Sequence, residues 1–237
     1  MRRVLIAGAA AAVLVAIAGI GGYVYFFSNL RSSPPSLALS ASPAISPTAA
    51  GSTSDLSGTW TVTTGSQARY RVQELFVGQT AKHDAVAQTS SVSGTVTVSG
   101  NASGYQATAI SVVADLASLH SIDSVAGRDV TQRDGLVSRQ LDVQQFPDAK
   151  FTATSASVPG TVTTSQVDVT VTGSLTIHGV TRPVTAAAKA QVAGGKIEIA
   201  GSVSINMTDY GVSAPQVPFT TVDSAATIEF DIFLTRA

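Results

Sequence analysis

From Trp60 to Leu234, apolar residues recur at every second position in one short run after another, and this period of two constrains the fold more than any other feature of the chain. Val167, Val169, Val171, Leu175 and Ile177 share one side of a run whose other side is Asp168, Thr170, Thr172, Ser174 and Thr176. Ile197, Ile199, Val203 and Ile205 alternate with Glu198, Ser202, Ser204 and Asn206; Ile228, Phe230, Ile232 and Leu234 alternate with Thr227, Glu229 and Asp231. Trp60 with Val62, Tyr70 with Val72, and Val92 with Val96 and Val98 repeat the pattern nearer the start. Turn signals separate the runs at Gly65-Ser66, Gly100-Asn101, Pro159-Gly160, His178-Gly179 and Gly194-Gly195. Such alternation belongs to antiparallel sheets with one dry face. The expected fold is all-β, an antiparallel closed barrel of about eight strands, because a sheet of that size must close or pair to protect its edges. One segment departs from it. Between Ser124 and Gln145, Val130, Val137 and Leu141 recur near helical spacing, which predicts one short helical segment despite Gly135.

The N-terminus obeys a different rule. Met1-Arg2-Arg3 precedes an uncharged, mostly apolar run from Val4 to Phe27. A helix of about 24 residues spans roughly 36 Å, against a hydrocarbon core of about 30 Å. Tyr23, Tyr25, Phe26 and Phe27 have the composition of an interfacial aromatic belt. Residues 1–27 are therefore expected to form a signal anchor, a single-pass transmembrane helix. Arg2 and Arg3 would stay inside and the remainder would lie outside the cytoplasm. The alternative is a cleaved signal peptide and a secreted product. Residues 28–54, with prolines at 34, 35, 43 and 47, read as a Ser/Pro/Ala-rich linker, and residues 55–237 as the barrel domain.

Composition removes several functions. A net charge of −1 without a basic run argues against nucleic-acid binding. No cysteine is present, which excludes disulfides, thiol nucleophiles and cysteine metal sites. His83, His120 and His178 are far apart, and no two have metal-ligand spacing. No GxSxG elbow or GxGxxG loop occurs. Nothing calls for a catalytic residue, a metal or a cofactor, and the chain is read as a non-enzyme. His178 lies on the polar side of its strand where the chain reverses. It reads as a turn or rim residue, with Gly179 free to take positive φ.

Several motifs in order resemble the YceI-like family of polyisoprenoid-binding, lipocalin-like proteins. They are GSLTIHGVTRPV at 173–184, LDVQQFPDAKFTATS at 141–155, Arg128-Asp129, SINMTDYGV at 204–212 and TIEFDIFLTR at 227–236. The chain departs from the family pattern at Gly65-Ser66, where a His-Ser pair is common, and in the Ala-rich strand at 185–193. The resemblance implies an extended barrel around a long apolar tunnel that holds an isoprenoid chain, of quinone or polyprenyl type. Alternation and size then nominate Tyr70, Val72, Ile110, Val112, Phe146, Phe151, Val169, Val171, Leu175, Phe230 and Ile232 as ligand-binding residues. Phe146 and Phe151 flank the second motif and are candidates to gate the tunnel mouth, and His178 and Arg182 are candidate head-group contacts. The expected partners are an isoprenoid lipid and, through the N-terminal helix, the membrane. The resemblance also makes a homodimer plausible. Each buried CH₂ contributes about 0.8 kcal/mol, so one five-carbon isoprene unit gives roughly 3–4 kcal/mol before losses. The competing reading is a cell-surface β-barrel for protein interaction or stress response, filled by its own side chains.

Overall fold

A computed structural model describes residues 31–40, 55–101, 104–163 and 165–237. In chain order the strands are β1 (Arg31–Ser32), β2 (Gly58–Val62), β3 (Gln67–Phe76), β4 (His83–Thr89), β5 (Val92–Asn101), β6 (Gly104–Asp115), β7 (His120–Ser121) and β8 (Ser124–Val125). Helix α1 (Gln132–Gln140) follows, then β9 (Asp148–Ala153), β10 (Ala156–Pro159), β11 (Val167–Ile177), β12 (Val180–Ala193), β13 (Lys196–Asn206), β14 (Gln216–Val217) and β15 (Thr220–Arg236). Every pairing is antiparallel.

Closure depends on β15. One of its edges pairs with β13 from Ala225↔Asn206 to Leu234↔Ile197. Its other edge pairs first with β3 and, past Asp231, with β2. The ring β2-β5-β6-β9-β11-β12-β13-β15 therefore shuts on itself with eight strands, and β3, β4 and β7 extend the wall beyond one end. The period of two becomes two faces. On β15, Ile228, Phe230, Ile232 and Leu234 turn inward and Glu229 and Asp231 outward. The His178-Gly179 turn has both residues at positive φ, 50° and 73°. Two left-handed residues make the type I′ turn whose twist suits a two-residue hairpin. Pro183 lies in β12 opposite Ser174, before the stretch where β13 becomes its second neighbour, so its missing N–H costs no ladder bond on that side.

The inner wall is lined sparingly. Among the inward residues of β12, Ala186, Ala188 and Ala190 each supply only a methyl group to a position where a Val or Leu would reach the axis. Helix α1 crosses the wide end. At nine residues it is too short to persist alone. Asp134 anchors it by accepting from the N–H (2.9 Å) and hydroxyl (2.7 Å) of Ser121. None of its residues is buried, because the space beneath it is vacant.

Outside the wall, residues 31–40, within the stretch read as a linker, are held as a strap. Arg31 and Ser32 pair with Val125 and Ser124. The Arg71 and Arg69 guanidiniums donate to the carbonyls of Pro34 (2.9 Å) and Pro35 (3.3 Å), which have no N–H of their own to offer. The Leu37 N–H donates to Glu229 (3.2 Å), the Ser40 N–H to Glu198 (2.6 Å), and Gln191 donates to the Ser40 carbonyl (3.2 Å). The alternation alone reads these side chains as solvent-facing; Glu229, Glu198 and Gln191, which the strap contacts, are buried, and so is Asp231 on the same face. The N-terminal span expected over residues 1–27 lies outside the described residues. Among the described residues, no helix is long and apolar enough to cross a membrane.

Candidate ligand cavity

Two adjoining hollows run along the barrel axis. The wider, about 710 Å³, lies beneath α1. The narrower, about 190 Å³, lies between β5, β6, β11, β12, β13 and β15. Ala68, Ala114, Ala149, Leu175 and Ile228 line both, so the two meet at a waist made largely of small residues. The wider volume is within the range of ligand pockets, roughly 300–1,000 Å³, and far above the residual voids of a packed core. The narrow hollow is walled almost wholly by Ala, Val, Ile, Leu, Phe and Tyr. An apolar void of this kind stays dry until an apolar chain fills it.

Ten of the eleven nominated ligand-binding residues line the hollows. Tyr70 and Val72 face the wide hollow; Ile110, Val112, Phe151, Val169, Val171, Phe230 and Ile232 face the narrow one; Leu175 faces both. Burial away from water raises the Tyr70 phenol well above its usual pKa. Phe146 lines neither hollow. Its ring packs edge-on to His178 at 5.1 Å and sits so close over Gly179 that a Cβ there would lie 2.6 Å from its Cε1. His178 and Arg182 are spent on backbone. His178 Nδ1 lies 3.3 Å from the Tyr210 carbonyl, and Arg182 Nε donates to the Asp209 carbonyl at 2.9 Å. They fix the turn of 3₁₀ helix Met207–Tyr210 and so position Tyr210 in the cavity wall. The Tyr210 hydroxyl is buried without a partner, and burial raises its pKa. It is a polar group on an otherwise apolar surface, available to an acceptor on a ligand.

A polar cluster that alternation does not reveal closes the wide end. Arg133, from α1, donates to Glu74 of β3 (3.0 Å) and to Asp123, which precedes β8 (2.5 Å). His83 of β4 lies 2.6 Å from the second oxygen of Asp123. Burial pushes the Asp123 carboxyl up, but hydrogen bonds from His83, Arg133 and the Val86 N–H outweigh it and hold the group at about 2. Burial dominates at Glu74 and raises its pKa against the pull of Arg133 and His83. Glu74, His83 and Asp123 bring ligand-type atoms within 4.8 Å of one another, the spacing a metal ion needs. Arg133 already supplies the positive charge between the two carboxylates, so the cluster works as a tie between α1 and the wall. Four separate segments build it, and no local spacing in the sequence announces it. Arg128 stands at the rim with its guanidinium 4.4 Å from the Phe76 ring and 5.6 Å from the Phe219 ring.

Residues 60–234 match the sequence pattern of the YceI-like domain. A UPF0312 protein of Pseudomonas putida is 33% identical over 130 residues, 52% of this chain and 62% of that protein. A UPF0312 protein of Pseudomonas fluorescens is 32% identical over 139 residues, covering 56% and 67% respectively. The match thus spans less than two thirds of the Pseudomonas putida relative's length. Among solved structures, a polyisoprenoid binding domain from Saccharophagus degradans superposes with a TM-score of 0.55 at 15% identity, over 75% of this chain and 98% of that one. At that identity the likeness concerns the fold.

Proposed function

Because the chain belongs to the YceI-like domain family, we propose that it binds a long isoprenoid lipid, with the prenyl chain threaded from the wide hollow through the waist into the narrow one and the head group at the α1 end. The carrying observation is the gradient of polarity along the two adjoining hollows, which share Ala68, Ala114, Ala149, Leu175 and Ile228 as wall. Arg128, Arg133, Glu74 and Tyr210 stand at the wide end, and hydrocarbon walls surround the narrow end. A quinone tail or a polyprenyl carrier has that same polarity gradient. The Saccharophagus degradans domain of the same fold is itself described as polyisoprenoid-binding, which supports the class of ligand. The role is binding without covalent chemistry, performed outside the cytoplasm by a barrel tethered through the apolar run Val4–Phe27. Burial of successive isoprene units, roughly 3–4 kcal/mol each before losses, gives slow release unless a membrane or partner accepts the lipid.

Organic extraction of the purified full chain followed by mass spectrometry tests the reading. A long prenyl species near one per chain is expected. Repeated extracts without any prenyl lipid, together with no uptake of added prenyl quinone or polyprenol, would overturn it.

A further inference from the structure

Among the described residues only Val77 and Phe219 are large hydrophobic side chains left open to solvent, at 72% and 50% exposure, and the two are neighbours. The Val77 N–H donates to the Phe219 carbonyl at 3.0 Å. Phe219 also lines the wide hollow, so the pair marks its mouth. Three further features converge there. Arg128 is exposed and lies over the Phe76 and Phe219 rings, which presents a cation beside the apolar pair. Arg31 donates to the Ala81 carbonyl at 3.0 Å, in the loop that carries Val77. Its strand partner Val125 bridges in turn to Arg128. The first described residue of the chain is therefore pinned to the mouth, and the apolar run of the sequence ends at Phe27, four residues earlier. Only residues 28–30 separate that run from Arg31 in the sequence.

We infer that the rim formed by Val77, Phe219, Arg128 and Arg31 docks on a lipid bilayer and holds the barrel with its mouth against the membrane surface. The pinned strap makes this orientation specific. A loose linker of 27 residues would let the domain tumble freely, whereas fixation at Arg31 leaves only a few residues between the rim and the apolar run. Exposed Val and Phe side chains suit the headgroup–acyl boundary, and the flanking guanidiniums suit anionic headgroups. A prenyl chain would then pass between bilayer and hollow without crossing open water. That consequence rests on the isoprenoid reading of the cavity; the docking geometry does not.

The test uses the full chain in vesicles of mixed phosphatidylcholine and phosphatidylglycerol. The chain has no cysteine, so a single introduced one is the only site for a thiol-reactive, polarity-sensitive fluorophore. V77C and F219C are expected to show blue-shifted emission quenched by doxyl-labelled lipid chains. K196C, exposed beside the turn that closes the narrow end, is expected to show neither. Aqueous emission at both rim positions overturns the inference, as does equal quenching at all three or failure of the chain to float with vesicles. Shielding that persists in detergent and grows with protein concentration overturns it in favour of contact between copies. Extraction of prenyl lipid is scored separately, so loss of the cargo reading and loss of the docking geometry are distinguishable.

Discussion

The two faces of strand β3 differ in how they are completed. Arg69 and Arg71 point outward into a surface where nearly every polar group has a partner: the Arg71 guanidinium holds Glu229 at 2.7 Å, Asp84 at 3.2 Å and the Pro34 carbonyl at 2.9 Å. Ala68, Tyr70 and Val72 point inward onto a hollow that no side chain fills. The contrast follows from the forces involved. A polar group removed from water must be matched atom by atom, so the chain supplies the matching strap itself. Apolar surface asks only for apolar contact, which a ligand can supply as well as a side chain can. Asp231 is the exception on the outer face. It is buried with one oxygen unpartnered, and burial, reinforced by Glu198 and opposed by Arg69, raises its pKa to about 6.

Substitutions can break this contrast. The largest effect is expected at Arg71→Ala, which leaves Glu229 buried without its ion-pair partner and releases Pro34. Denaturant unfolding should show a loss of about 3–5 kcal/mol. A loss below about 0.5 kcal/mol would mean that the outer face is not a matched surface. Next comes Ala114→Phe at the waist. In a packed core such enlargement costs about 1–3 kcal/mol. Here the ring enters a void, so stability should hold, while prenyl-lipid affinity should fall by about 3–4 kcal/mol for each isoprene unit displaced. Destabilisation with unchanged lipid binding would contradict the open waist.

Asp231→Asn should stabilise the chain by about 1–2 kcal/mol near pH 7.5. The native carboxyl titrates near 6 against 3.8 for the unpaired group, so the native state binds the proton more tightly. Wild-type stability from this group is fullest below about pH 4 and is lost as pH rises through about 6. The advantage of the variant should therefore shrink to nothing in acid, which thermal melts across that window would record. The smallest change is expected from Tyr210→Phe, which removes an unpartnered buried hydroxyl. The ligand-free chain should gain up to about 1 kcal/mol. A clear loss of stability instead would show that the hydroxyl has a protein partner.

The β architecture was legible because alternation and turn residues act locally. The run Val167–Ile177, the His178-Gly179 reversal and the short helix after Ser124 can each be read within a dozen residues. Side-chain direction on the strands follows from the same period, which is why Tyr70, Val72 and Phe230 fall on the cavity walls. Phe146 lies in the turn before β9, where no such period applies, and its ring covers Gly179 instead. The strap was not legible. Alternation assigns Glu229 and Glu198 to the outer face but contains nothing about what covers that face. The tie of Arg133 to Glu74 and Asp123 depends on closure bringing distant segments together. The volume of the hollow, likewise, is set by many residues at once; the alanines of β12 were the one local hint.

The most direct measurement is the electron density inside the barrel of the full chain, crystallised as purified and without added lipid. Continuous, chain-like density with regularly spaced methyl branches is expected from the α1 end through the waist at Ala68 and Ala114 into the narrow hollow, beyond what the side chains explain. A barrel interior occupied throughout by the protein's own side chains would contradict isoprenoid binding.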